Sequence, residues 1–109
     1  DYSRFLFLIR MAYGCFGKGE YKKALRYINE ILNNPSQSSR HDIQAFARIF
    51  NLIIHFEMGN QELLQYLLKS TYGYLNKRDR LYQLEHLLIK FFKRYLLKTI
   101  SNRLISLLF

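Results

Sequence analysis

The sequence predicts an all-α fold built from antiparallel helical hairpins, and three observations carry that expectation. Half of the 109 residues are hydrophobic and 17% are aromatic, enough apolar material for a packed core and too much for disorder. Pro35 is the only proline and glycines are few, which suits long helices better than the many turns of a β domain. The third observation is the run from Gly19 to Pro35. Gly19 permits a sharp reversal, the small Ala24 lets one helix lie close on another, and Leu25, Ile28, Ile31 and Leu32 recur at helical spacing.

Five helices follow in order. The first spans about 3–16, with Ser3 as its N-cap and Gly17 and Gly19 as its stop. The second spans about 20–33 and ends before Pro35. The segment Pro35-Ser36-Gln37-Ser38-Ser39 reads as a loop, and Ser39 with Asp42 resembles a capping box. The third helix spans about 40–58 and ends at Gly59-Asn60. The fourth spans about 61–76, with Leu64, Leu67, Leu68, Thr71 and Leu75 as its inner face. The fifth starts after Asp79, read as its cap, and runs to about Lys98 with Leu81, Leu84, Leu88, Phe91, Phe92 and Tyr95 on one stripe. Residues 101–109 either continue it or turn back at Ser101-Asn102 as a short sixth helix.

The connections inside the first two pairs are very short, which forces antiparallel neighbours. The pairs also repeat. Gly19 to Gly59 is 40 residues, and so is Phe16 to Phe56. A period of that size marks a stacked helical array. The whole of 1–109 is therefore expected to be one helical-repeat domain.

On these residues the chain resembles the tetratricopeptide repeat family. Phe16 matches the aromatic near the end of the first helix, Gly19-Glu20-Tyr21 the turn, and Ala24 the small crossing residue. The second hairpin keeps Phe56, Gly59 and Asn60 but has Gln61 and Leu64 where an aromatic and a small residue belong. Its period is 40 residues, against about 34 in the family. The resemblance implies a short right-handed α-α superhelix whose first helices line a concave groove that binds protein or peptide. It implies a scaffold, with no catalysis and no cofactor.

Charge bounds the partner. The chain carries 17 basic and 8 acidic residues, a net +9. From Tyr72 onward eight basic residues face two acidic ones (8 − 2 = +6), which leaves nine and six before it (9 − 6 = +3). An acidic protein or peptide partner fits this balance, with nucleic acid or an anionic surface as the alternative through the basic C-terminal third. A membrane-spanning segment is not expected, since no apolar run approaches ~18–20 residues. One cysteine, Cys15, excludes an internal disulfide, and a cytoplasmic location is expected.

The candidate chemistry is sparse. His41, His55 and His86 share no metal-ligand spacing, Cys15 sits among apolar neighbours, and the carboxylates fall near helix ends. Binding residues are sought instead on the first helix of each pair. Gln44, Arg48, Asn51 and His55 share a face of the third helix, with Lys90 and Arg94 on the fifth and Arg10 on the first as counterparts. These polar residues are expected to project into the groove. The apolar run Phe5-Leu6-Phe7-Leu8-Ile9 cannot all face one neighbour, so cover by a preceding repeat or a second copy is expected, as in the C-terminal part of a longer array.

Overall fold

The computed structural model describes residues 2–34 and 41–108, and they are all-helical, with no strand among them. The helices are α1 (Tyr2–Gly17), α2 (Tyr21–Leu32), α3 (His41–Met58), α4 (Gln61–Lys77) and α5 (Leu81–Leu108). Ser3 lies inside α1 and so does not cap it. Ser39 and the Ser-rich loop lie outside the described residues. α5 runs unbroken through Ser101-Asn102 for 28 residues, so no separate sixth helix forms. At 1.5 Å per residue it is about 42 Å long, most of the 53 Å long dimension of the molecule.

The three described corners, after α1, α3 and α4, share one chemistry. At the end of α1 the Glu20 N–H donates to Cys15 O (2.9 Å) and the Gly19 N–H to Phe16 O (3.0 Å). At the end of α3 Asn60 donates to His55 O (3.3 Å) and Gly59 to Phe56 O (3.1 Å). At the end of α4 Arg80 donates to Leu75 O (2.9 Å) and Asp79 to Asn76 O (3.3 Å). Each is a Schellman closure, which satisfies carbonyls that a helix end would otherwise leave open. The closure needs a left-handed residue, and Gly19 (φ 79°), Gly59 (φ 77°) and Asp79 (φ 54°) supply it. Asp79 is therefore the third turn residue, standing where the first two corners have glycine, and it does not cap α5.

This arrangement makes the corners unequal in cost. Gly19→Ala and Gly59→Ala are each expected to lose about 1–2 kcal/mol, because a Cβ disfavours left-handed backbone. Asp79→Gly is expected to hold or raise stability. Urea denaturation of the three variants measures the order.

Two apolar clusters meet at α3. In the first, Phe5, Leu8 and Ala12 of α1 and Ala24, Ile28 and Ile31 of α2 pack on Ile43, Ala47, Phe50 and Ile54. In the second, Ala45, Ile49 and Ile53 of α3 pack with Leu75 of α4, and half-buried Leu81, Leu84, Leu87, Leu88 and Phe91 of α5 lean on them. α3 thus buries side chains on most of its circumference, as a central helix must. Gln44 is buried with the core, and its Nε2 donates to Ile31 O at 2.9 Å. That bond ties α3 to the end of α2.

The α1–α2 hairpin is the more closely packed of the two. Ala12 and Ala24 are both fully buried in it. Leu64, at the corresponding place in α4, is only half-buried. On α4 only Thr71 and Leu75 are buried, and Leu68, expected inside, is 49% exposed. On α1, Phe5 and Leu8 are buried while Leu6 and Phe7 are 38% and 58% exposed. The expected inward placement of Phe92 and Tyr95 falls outside the described side chains.

Candidate functional groove

The first helix of each hairpin and α5 enclose a groove floored by aromatic rings. α1 supplies Tyr13 and Phe16, α3 supplies Phe46, Phe50 and Ile53, and α5 supplies Leu87, Lys90, Phe91 and Arg94. The spacings are those of one helical face: 46, 50, 53 on α3 and 87, 90, 91, 94 on α5. The cavity holds about 210 Å³. Its rings brace one another at a tilt or edge to face. Phe16 lies 5.4 Å from Phe50 and 6.3 Å from Phe91, and Phe50 lies 5.7 Å from Phe46 and 6.0 Å from Tyr13. Tilted pairs of this kind suit the ring quadrupole.

The groove continues into a second cavity of about 210 Å³, wholly apolar, lined by Leu52, Ile53, Phe56, Leu64, Leu68, Leu88 and Phe91. Ile53 and Phe91 wall both cavities. Phe56 meets Phe91 edge-on at 6.0 Å. The exposure of Leu68 and Phe56 is explained here: they stand at the mouth of this pocket, which α5 leaves open.

Cations stand at the groove mouth. Lys90 and Arg94 are exposed, and the Arg94 guanidinium lies 5.9 Å over the Tyr13 ring. The guanidinium also passes Gly17, where an added Cβ would make only ordinary contact with Arg94 Nη2, at 3.5 Å. Arg10 is exposed one and two turns before Tyr13 and Gly17, on the same ridge of α1. Glu57 of α3 accepts from the Tyr21 hydroxyl at 3.5 Å. Burial, and then the Glu57 charge, raise the Tyr21 pKa.

The polar stripe expected from the sequence is therefore divided. Lys90 and Arg94 line the groove mouth, whereas Arg10 is exposed on α1 and does not line the groove. Arg48, Asn51 and His55 do not line it. Each residue turns an α-helix by about 100°, so Arg48 lies about 200° around α3 from Phe46, and Asn51 and His55 lie about 140° and 180° around. Arg48 instead stacks 4.1 Å over the Tyr74 ring of α4. His55 joins the α3–α4 corner, where Asn60 Nδ2 meets its Nδ1 at 3.2 Å. The residues missed were the groove aromatics Tyr13, Phe46 and Phe50. Their signal was that α3 is apolar on too many sides for one neighbour.

His55 has a measurable consequence. Burial lowers its pKa below the usual 6.5. An imidazole whose folded value is depressed binds more protons unfolded than folded, so stability rises with pH through that range. The contribution is complete above pH 6.5 and is lost as pH falls below it, toward the depressed folded value. His55→Gln is expected to remove this part of the pH dependence, read as denaturant midpoint against pH.

Among the described residues no three of His, Cys, Asp and Glu gather as a metal site, and no helix is long and apolar enough to cross a membrane. Cys15 is half-buried against the first cluster. Comparison with protein-family models, with curated proteins and with solved structures finds no match to this chain.

Proposed function

We propose that this chain is a non-catalytic protein-binding module whose groove between α1, α3 and α5 holds an acidic, amphipathic peptide or helix. The single observation that carries this reading is the junction of an aromatic floor with exposed Lys90 and Arg94 at its mouth. The cavities are sized for side chains of a ligand, so the partner presents apolar residues to the half-buried Phe46 and Phe91 and acidic residues to the cations. Charge complementarity fixes the register and speeds encounter, while the apolar contacts hold the complex.

On the same reading the hairpins stack with the right-handed turn of a tetratricopeptide-like array, within a longer array in the cytoplasm. The recurrence of one corner closure at 15–20 and 55–60 supports the array. The exposed Leu6 and Phe7 of α1 offer a surface for the preceding repeat or for a second copy.

The test is selection from a random peptide-display library. An enriched consensus pairing acidic with aromatic or aliphatic residues supports the reading. Enrichment of no consensus, alongside capture of nucleic acid that salt abolishes, points to the basic C-terminal third acting on phosphates instead.

A further inference from the structure

The sequence of α5 carries two apolar stripes on opposite sides of one helix. At about 100° per residue, Leu84, Leu88 and Phe91 centre on a single line, and that line packs on α3. Beyond Phe91 the pattern changes face. Leu96, Leu97, Ile100, Leu104, Leu107 and Leu108 fall within an arc of about 120°, centred about half a turn around from the first stripe. Ile105 is the one aliphatic residue of that stretch outside the arc. Because α5 runs unbroken, the packing that takes the first stripe turns the second outward. Described residues on the outward line agree. Ile89 is 50% exposed and Leu107 83%, and Tyr82 and Lys93 are exposed with them.

Charge decides what covers this stripe. Lys93 lies on its line and Arg103 at its edge, and after Glu85 the chain has five basic residues (Lys90, Lys93, Arg94, Lys98 and Arg103) and no acidic one. A second copy laid along the stripe would bring like charges together. The stripe is also the outer side of a convex helix, and the cavities beside α5 open between it and the other helices. A broad anionic surface meets both conditions. Leucine and isoleucine on one side, cations at the edge, and Thr99, Asn102 and Ser106 behind suit a helix that lies in the headgroup layer of a bilayer. Lysine and arginine stems run along such a surface and leave their charges at phosphate level. We propose that the outward stripe of α5 over residues 96–108 binds an anionic lipid surface, with the helix lying in the plane of the membrane and not across it. The proposal does not rest on the groove's ligand.

Two tryptophan reporters test it, since the chain has no tryptophan of its own. Leu107→Trp places an indole on the outward stripe. Ser106→Trp places it about 100° further round the helix, on the polar side. Both positions are exposed, so neither change disturbs packing. Each full-length variant is titrated with vesicles of phosphatidylcholine alone and of phosphatidylcholine mixed with phosphatidylserine. With the mixed vesicles the emission of Leu107→Trp is expected to shift to the blue and saturate, while that of Ser106→Trp stays in place. Adding Lys93→Glu and Arg103→Glu to Leu107→Trp is expected to weaken partitioning at least about tenfold, because each cation near an anionic surface adds to the attraction. Absence of a shift, equal shifts at the two positions, equal binding to phosphatidylcholine alone, or binding that survives the charge reversal overturns the proposal. So does a blue shift of Leu107→Trp that grows with protein concentration without lipid, since a second copy then covers the stripe.

Discussion

Replacing Phe50 with alanine is expected to cost about 3–5 kcal/mol of folding stability, the largest effect of any single substitution considered for this chain. The ring is 5% exposed and belongs to the cluster that joins α1, α2 and α3. It touches three other rings, Tyr13, Phe16 and Phe46, so its removal leaves a void that no single neighbour can fill. Domains of this size have about 5–15 kcal/mol in total, so the variant stands near the edge of folding. Phe50→Leu keeps most of the volume and is expected to fold with a smaller loss. Urea denaturation separates the two: the midpoint falls steeply for alanine and modestly for leucine, with the slope unchanged in both. A Phe50→Ala loss below about 1 kcal/mol, within the range of surface substitutions, would show that this ring does not hold the α1–α2–α3 cluster together.

The turns show where sequence reading succeeds and where it stops. The helices and two of the turns were legible because glycine at a helix end has few other uses. Gly19 and Gly59 announce left-handed corners, and the structure has them there. Asp79 was read as a cap on α5, since aspartate serves both as an N-cap and, less often, as a left-handed residue. Both roles fall within two residues of one another in a short turn, and local chemistry does not separate them. The length of α5 was hidden for a related reason. Serine and asparagine at 101 and 102 are mild penalties in a helix, unlike glycine or proline, and do not compel a stop.

The groove was harder to read. The rule that a polar stripe faces solvent or a ligand applies to helices with one buried side. α3 buries most sides, so several of its polar residues have a bonding role inside the fold. Gln44 holds the end of α2, Arg48 lies on Tyr74, and His55 serves the corner. What remained for the groove was an aromatic face, which a sequence presents as ordinary core. Only the third dimension shows that α1, α3 and α5 leave the rings partly uncovered.

Reversing the charges at the groove mouth, Lys90→Glu with Arg94→Glu, is expected to invert the outcome of peptide selection while leaving the fold intact. Both side chains are exposed, so their loss removes little packing, and surface substitutions away from special contacts stay within about 0.5 kcal/mol. Arg94 lies 5.9 Å over the Tyr13 ring, an exposed cation–π contact worth about 0.5–1 kcal/mol. The wild-type groove is expected to enrich acidic peptides and the reversed one basic peptides, with the same apolar residues in both, because the floor of Phe16, Phe50 and Phe91 is unchanged. For a selected acidic peptide the double reversal is expected to weaken binding at least tenfold, largely through slower association at low salt, and the deficit shrinks as salt rises. Arg78→Glu is the internal control, since exposed Arg78 stacks on Tyr74, away from the groove. If Arg78→Glu alters the selected consensus and the double reversal does not, the binding surface lies on the other side of α3. If neither changes it, apolar contact alone selects the ligand, and the cations at the mouth serve the solubility of a +9 chain.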